Sequence, residues 1–102
     1  MSTRLIVRPA AEADIAAAAE WYEHQALGLG ADFLRAIDVA LAELLRMPQR
    51  YPRVRGQCRR ALLRRFPYAV FFIPTPDVIQ VIACMHVSRD PRRWKERVED
   101  DR

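Results

Sequence analysis

The sequence predicts one α+β domain over residues 1–102, in which a helical hairpin packs on one face of a small, mainly antiparallel sheet. Residues 10–47 hold two stretches with apolar side chains at helical spacing, separated by a glycine-rich break. Residues 59–86 hold three short runs of β-branched and aromatic residues, separated by prolines. One further strand precedes the two helices. The predicted order is therefore β-α-α-β-β-β, followed by a short C-terminal helix.

The first strand and the helical hairpin account for residues 3–47. Residues 3–8 form the strand, which ends at Pro9. The first helix runs from residue 10 to the break at Gly28-Leu29-Gly30, and the second runs from residue 31 to the residue before Pro48. Their apolar stripes are Ile15, Ala18, Ala19, Tyr22 and Ala26, and then Phe33, Ile37, Leu41, Leu44 and Leu45. Because the break is short, the two helices should fold as an antiparallel hairpin.

Three predicted strands follow an extended loop over residues 47–57 and form an antiparallel meander. They cover residues 59–66, 68–73 and 78–86, with proline-containing turns between them. After the last strand, Asp90 can cap a helix whose first residue is Pro91, a position at which proline costs no hydrogen bond.

Both faces of this meander carry apolar side chains, although one hairpin can cover only one face. Strict alternation divides the last strand into two sets, Ile79, Val81, Ala83 and Met85 against Gln80, Ile82, Cys84 and His86. Either the tail around Trp94 folds across the second face or a partner covers it. We expect a partner, because exposed apolar surface of that extent usually marks an interface.

Composition narrows the class of protein. The chain is 51% hydrophobic, which suits a globular domain, and no apolar run approaches the ~20 residues of a membrane span. The first residues lack the apolar stretch of a signal peptide. The two cysteines, Cys58 and Cys84, lack metal-ligand spacing and are expected to be free thiols in a reducing compartment. We expect a cytoplasmic protein without a metal site, a cofactor or a membrane partner.

Charge divides the chain into two unlike halves. Residues 1–49 carry four basic residues against seven acidic ones, a net charge of −3, whereas residues 50–102 carry thirteen against six, a net charge of +7. Residues 50–65 contain seven arginines and no acid. This asymmetry favours an acidic or polyanionic partner for the second half, although an arginine-rich solvated surface would produce the same composition.

Several of these features together resemble the ParE branch of the RelE/ParE toxin superfamily. The helical hairpin and the arginine-rich strand are followed by Arg65-Phe66-Pro67-Tyr68, a further apolar strand, and Met85-His86-Val87-Ser88-Arg89-Asp90-Pro91-Arg92-Arg93-Trp94. The Phe-Pro-Tyr corner and the His-x-x-Arg-Asp-Pro-x-x-Trp ending are the most specific parts, and the resemblance covers nearly the whole chain.

The resemblance implies the toxin of a type II toxin–antitoxin pair. Members of the ParE branch poison DNA gyrase and are held inactive by a small antitoxin. The implied partners are therefore gyrase and a cognate, acidic, DNA-binding antitoxin of the ParD type, with which the toxin forms a hetero-oligomer and through which alone it contacts DNA. RelE-branch relatives instead cut messenger RNA on the ribosome, and a family member that has lost its toxicity is a third alternative.

The residue types argue against RNA cleavage. Cutting RNA through its 2′-hydroxyl needs a base, an acid and cations that hold the phosphate. The chain has one lysine, Lys95, no acid between Glu43 and Asp77, and no tyrosine after Tyr68. His86, Arg65 and Arg89 could form a reduced acid–base set, but a histidine that closes a strand is more often packed or hydrogen-bonded. We therefore predict no catalytic residues.

Two binding sites are predicted instead. The target-binding residues are expected in the tail, at Arg89, Arg92, Arg93 and Trp94. Trp94 could equally close the open end of the sheet. The antitoxin-binding residues are expected on the meander, at Arg59, Arg60, Arg64, Arg65, Tyr68, Val70, Phe72 and Ile82. The arginines in this second set could equally protect an edge strand from aggregation.

Overall fold

A five-stranded mixed sheet carries a helical hairpin on one face and a short helix on the other. The computed structural model describes residues 3–100. Its elements are β1 (Arg4–Val7), α1 (Pro9–Gln25), α2 (Leu29–Arg46), a 3-10 turn (Pro48–Arg50), β2 (Arg53–Arg55), β3 (Cys58–Leu62), β4 (Tyr68–Pro74), β5 (Val78–His86) and α3 (Arg92–Asp100). The predicted α+β class and hairpin are confirmed.

The sheet has the strand order β1-β5-β4-β3-β2. β1 pairs with β5 in parallel, and the other neighbours are antiparallel, so the sheet is mainly antiparallel as predicted. The hairpin of α1 and α2 follows β1 in the chain and precedes the other four strands. Its apolar stripe packs on one face of the sheet. Phe33 and Leu44 of α2 are completely buried there. Burying each such side chain contributes about 1.5–3 kcal/mol.

Two predicted boundaries in the meander are wrong. The expected loop over residues 47–57 contains a three-residue strand, β2, which pairs with β3. This strand is too short to show a period-2 pattern, and it forms because β3 offers a free edge. β3 also ends at Leu62, not at residue 66. Leu63 and Phe66 leave the ladder to enter the core, while the Leu63 N–H still donates to the Tyr68 carbonyl at 2.9 Å.

A β-bulge changes which residues of β5 share a face. Phe71 pairs with Ala83 and Phe72 pairs with Val81, so Ile82 is an extra residue in β5. Val81 therefore faces the hairpin, whereas Ala83 and Met85 face the opposite side. The prediction that all of Ile79, Val81, Ala83 and Met85 lie on one face is wrong beyond the bulge.

The second face of the sheet is covered by the chain itself. The indole of Trp94 in α3 stacks on the Phe71 ring, with centroids 4.7 Å apart and planes 17° apart. Val98, one helical turn further, is buried against the same face. The expectation that a partner covers this face is therefore wrong, and the alternative, a tail that folds across it, is the observed arrangement.

The two cysteines lie on opposite sides of the sheet and are both free and buried. Burial raises the pKa of the Cys58 thiol to about 11 and that of the Cys84 thiol to about 12. Within residues 3–100, no cluster of three or more His, Cys, Asp or Glu side chains is placed to hold a metal ion. In the same described part of the chain, no helix is long and apolar enough to cross a bilayer.

Candidate partner-binding surfaces

An ion pair between α1 and α3 replaces the missing neighbour of β5. β1 pairs only with the first part of β5, up to Val81. Beyond that point, a carboxylate oxygen of Asp14 accepts a hydrogen bond from the Cys84 N–H at 3.0 Å, and the Arg97 guanidinium donates to the Ile82 carbonyl at 3.1 Å. Arg97 also donates to Asp14, at 3.0 Å for one of its two bonds. Two side chains from distant helices thus satisfy the exposed edge of β5.

This ion pair is only partly accessible to water. The side chain of Asp14 is 18% exposed and that of Arg97 is 28% exposed. The hydrogen bonds that the Arg97 guanidinium donates to Asp14 raise the pKa of Arg97. Sequence reasoning missed the pair, because Asp14 and Arg97 are 83 residues apart. One signal in the sequence could have indicated that Asp14 is shielded: it lies close to Ile15 and Ala18, on the side of α1 that faces the sheet.

A concave surface beside this ion pair combines aromatic and basic side chains. We call it the basic cleft, and its aromatic and basic side chains include Trp21, Tyr68, His86, Arg89, Arg93 and Arg97. It consists of two adjoining recesses of about 390 Å³ and 680 Å³, which share Trp21, Tyr68 and Arg89. Burial raises the pKa of the Tyr68 phenol, so the hydroxyl is protonated at neutral pH and can donate.

His86 is held by its neighbours within this cleft. Its Nδ1 accepts a hydrogen bond from the Ser88 N–H at 3.0 Å and lies 2.8 Å from the Ser88 hydroxyl. Its ring contacts the edge of Tyr68, with centroids 5.3 Å apart. Because Nδ1 accepts from a backbone amide, the proton of the neutral imidazole resides on Nε2. The structure brings His86 and Arg89 together, but Arg65 lies outside the cleft.

The four predicted tail residues have different environments. Arg89 and Arg93 line the basic cleft. Arg92 is exposed and donates from Nε and Nη2 to Asp90, at 3.0 Å and 2.7 Å. Asp90 also accepts the Arg92 backbone N–H, which confirms the predicted cap. These bonds to Arg92 lower the pKa of Asp90 to about 2.

Trp94 is half-buried beneath α3, in contact with Phe71. Trp94 covers the second face of the sheet, which was the alternative role considered for it in the sequence. Its ring is therefore not available as a hot-spot contact for a target. The exposed tryptophan beside the tail arginines is Trp21, which is 56% exposed. Sequence reasoning passed over Trp21 because it lies next to the apolar stripe of α1, where an aromatic residue is normally part of the core.

A separate recess, which we call the apolar groove, lies between α2 and the end of β3. Its volume is about 230 Å³, and it is lined by Asp32, Arg35, Ala36, Val39, Ala40, Glu43, Leu62, Leu63, Arg64 and Arg65. Val39 and Leu62 are each more than half exposed, at 51% and 57%. Arg64 forms an ion pair with Glu43 at 2.9 Å, and the Arg65 guanidinium lies 5.7 Å from the Phe66 ring centre.

Half of the predicted antitoxin-binding set is not available on the surface. Val70 and Phe72 are completely buried under the helical hairpin, and Ile82 is 3% exposed. Arg59 is also buried, and it donates to the Gln49 amide oxygen at 2.7 Å and to the Tyr51 carbonyl. These four residues hold the domain together, and we correct the prediction by removing them. Arg60, Arg64 and Arg65 are exposed, and Tyr68 is half-buried in the basic cleft.

The helical hairpin on a five-stranded sheet, with its short C-terminal helix, is the fold of two solved toxin structures described below. Residues 5–91 match the profile of a family described as the ParE toxin of the type II toxin–antitoxin system parDE. The chain belongs to this family of ParE toxins. No curated protein sequence is similar enough to count as a match.

Two solved structures share the fold at low sequence identity. One is described as a chromosomal ParDE toxin–antitoxin system from P. aeruginosa; it is 21% identical, has a TM-score of 0.63, and the match covers 82% of this chain and 95% of that one. The other is a mutant of the E. coli toxin RelE in the free state; it is 17% identical, has a TM-score of 0.63, and the match covers 98% of each chain. At these identities the likeness establishes the fold alone.

Proposed function

We propose that this protein is a cytoplasmic toxin that inhibits DNA gyrase by direct binding and is neutralised by a cognate antitoxin. The observation that carries the proposal is the surface at the end of β5. There, Arg89 and Arg93 stand beside the exposed indole of Trp21, while Arg65, the third member of the reduced acid–base set, lies elsewhere. Trp, Tyr and Arg are the residues that most often dominate protein–protein binding energy. Such a surface suits a protein that acts by contact.

The proposed target surface is formed by Arg89, Arg92 and Arg93. Arg89 and Arg93 make no hydrogen bond or ion pair to another side chain within residues 3–100, so a partner's acidic groups can bind them without breaking a side-chain hydrogen bond or ion pair. Arg92 contributes a further exposed guanidinium beside Asp90. Trp94 supports this surface from beneath by fixing α3 on the sheet.

The proposed antitoxin surface is the apolar groove. An amphipathic helix can place apolar side chains against Val39 and Leu62, in the way that helix-in-groove complexes do. Arg64 and Arg65, which line the groove, favour acidic side chains on that helix. The hetero-oligomer would then contact DNA only through the antitoxin.

The test for target binding is a supercoiling assay with purified gyrase. The wild-type protein should inhibit the enzyme, and the Arg89→Gln/Arg93→Gln double variant should need at least ~10-fold more protein for the same effect. Arg4→Gln is the matched control, because Arg4 is exposed on β1, away from the tail. Equal inhibition by the double variant would contradict the assigned surface, and no inhibition by the wild type would contradict gyrase as the target.

The second candidate function is ribosome-dependent cleavage of messenger RNA. The observation in its favour is that His86, Arg89 and Tyr68 share the basic cleft. Codon-specific cleavage of transcripts after induction, lost in His86→Gln, would establish this function, because removing a general acid or base costs about 10²–10⁴-fold in rate. Intact transcripts together with DNA-damage signalling would support the gyrase proposal. Growth without either response would identify a family member that has lost its toxicity.

A further inference from the structure

Trp21 presents an accessible indole on the α1 side of the basic cleft. Ala18 and Ala19, on the preceding turn of α1, are buried, whereas Trp21 is 56% exposed. Its only aromatic contact within residues 3–100 is with Tyr22, whose ring meets it at 82° with centroids 5.1 Å apart. An edge contact of this kind fixes the orientation of the indole while leaving most of its surface accessible.

Small side chains make up the rest of the α1 wall. The recess of about 390 Å³ is lined on α1 by Ala13, Asp14, Ala17, Ala18 and Trp21, positions that share one face of a helix. Three of these side chains are single methyl groups, so the space between α1 and the tail stays open. Trp21 is the one large apolar side chain that α1 contributes to this recess. An apolar group that enters along α1 would therefore meet methyl groups and the indole.

The cations on the opposite wall are not neutralised by the protein. Arg97 is held in the ion pair with α1, but the side chains of Arg89 and Arg93 have no hydrogen bond or ion pair among the described residues. The acid nearest to them in the chain, Asp90, is already bound by Arg92. A carboxylate from outside would therefore meet two available guanidinium groups, whose planar fork of donors matches a carboxylate in two-point geometry.

We propose that the basic cleft docks an acidic segment of the target protein, with an apolar side chain of that segment packed on Trp21 and its carboxylates held by Arg89 and Arg93. Trp and Arg are enriched among the residues that dominate protein–protein binding energy, and here they line one concave surface. This inference rests on the proposed function and deepens it, because the target surface assigned above contains no residue of α1.

The charge distribution favours a protein segment over a nucleic-acid strand. Trp21 belongs to the helical hairpin, and residues 9–46 carry seven acids against two arginines, a net charge of −5. The exposed Glu20 directly precedes it. A nucleic-acid strand carries a phosphate at every nucleotide, so stacking its bases on Trp21 would bring negative charges against this acidic hairpin. A peptide can instead direct its carboxylates to the arginines and its apolar side chains to α1.

The test is a supercoiling assay with purified gyrase, in which the concentration of toxin for half-inhibition is measured. Trp21→Ala should need roughly 10-fold more protein or higher, whereas Trp21→Phe, which keeps an aromatic face, should stay within about 3-fold of the wild type. Leu27→Ala is the matched control, because Leu27 is an apolar residue that is 97% exposed in the turn between α1 and α2. Thermal melting of each variant establishes that it is folded. Growth of a host cell after induction is the second readout, because it responds to any target.

The outcomes distinguish this inference from the proposed function. Weaker inhibition by Trp21→Ala, with Trp21→Phe and Leu27→Ala close to the wild type, supports the inference. Equal inhibition by Trp21→Ala and the wild type would overturn it and leave gyrase as the target. If the wild type does not inhibit gyrase, the proposed function fails. Growth arrest that is lost in Trp21→Ala would then support the docking surface for another target, whereas arrest that persists in this variant, or no arrest by the wild type, would overturn it.

A further titration tests the choice of a protein partner. The wild-type protein is titrated calorimetrically with a single-stranded DNA decamer, and the same titration is repeated with Trp21→Ala. We expect no binding, or binding that is the same in both proteins, because the decamer should not enter the cleft beside the acidic hairpin. Binding that is lost in Trp21→Ala would overturn the proposal in favour of a nucleic-acid surface.

Discussion

At the scale of single residues, Asp14 has the most consequences for this fold. Its carboxylate joins three elements, because it belongs to α1, accepts from the Cys84 N–H of β5 and binds Arg97 of α3. Each of these contacts is partly shielded from water, so each lost bond leaves a polar group that solvent replaces poorly. A residue of this kind maintains the wall of the basic cleft without itself being exposed on it.

We expect Asp14→Ala to lower the free energy of unfolding by about 1–3 kcal/mol, because Arg97 and the Cys84 N–H lose their acceptor. Arg97→Met, which removes the charge and keeps the apolar stem, should also destabilise the protein, because it leaves the shielded Asp14 carboxylate without its cation. Urea denaturation of both single variants and of the double variant gives the coupling energy between the two residues. A coupling energy below ~0.3 kcal/mol would mean that the ion pair does not hold α3 in place.

At the scale of elements, the turn of the helical hairpin depends on two glycines and one carboxylate. Gly28 has φ +87°, a conformation that glycine adopts without strain. A Cβ atom at Gly30 would lie 2.6 Å from the Ala19 carbonyl oxygen, so α1 and α2 can approach this closely only with glycine at that position. Glu23 accepts the N–H groups of both glycines, at 3.0–3.1 Å, and so caps the start of α2.

This cap predicts a pH dependence of stability. The hydrogen bonds from the Gly28 and Gly30 amides lower the pKa of Glu23, so its folded-state pKa lies below its unfolded one. The stabilisation is therefore complete above the unfolded pKa and is lost as the pH falls through the folded pKa. Glu23→Gln should flatten the decline in stability below pH ~4.3, the usual glutamate pKa. Thermal melting of both proteins between pH 3 and pH 7 measures it, and parallel curves would contradict the prediction.

Local patterns identified the elements, whereas contacts between distant residues were not predictable from them. The bounds of β5 and the break between the helices follow from side-chain periodicity and glycine placement, which are properties of neighbouring residues. The bulge at Ile82 is invisible to a period-2 pattern, because it depends on pairing with β4. For the same reason, the sequence assigned Val70 and Phe72 to a partner surface, although they form the core, and it did not bring Trp21 together with Arg89.

At the scale of the whole molecule, the domain has two apolar cores separated by the sheet. The larger lies under the hairpin, and the smaller lies under α3. Two side chains of α3, Trp94 and Val98, close this smaller core, which contains Cys58. The larger core, which contains Cys84, is closed by long helices. The two halves should therefore differ in how easily they open.

We expect Trp94→Ala to open the smaller core selectively, because it removes the ring that stacks on Phe71. For this half-buried side chain, the expected loss of stability is about 2 kcal/mol, below the ~3–5 kcal/mol of a fully buried aromatic residue.

In the wild type, burial should make both thiols slow to alkylate, since it raises their pKa values to about 11 and 12. In the variant, Cys58 should react much faster while Cys84 remains slow. Mass spectrometry after timed alkylation at pH 8 distinguishes the two sites, with Leu27→Ala, a change at a residue that is 97% exposed, as the control. Equal acceleration at both cysteines would show that the domain opens as one unit.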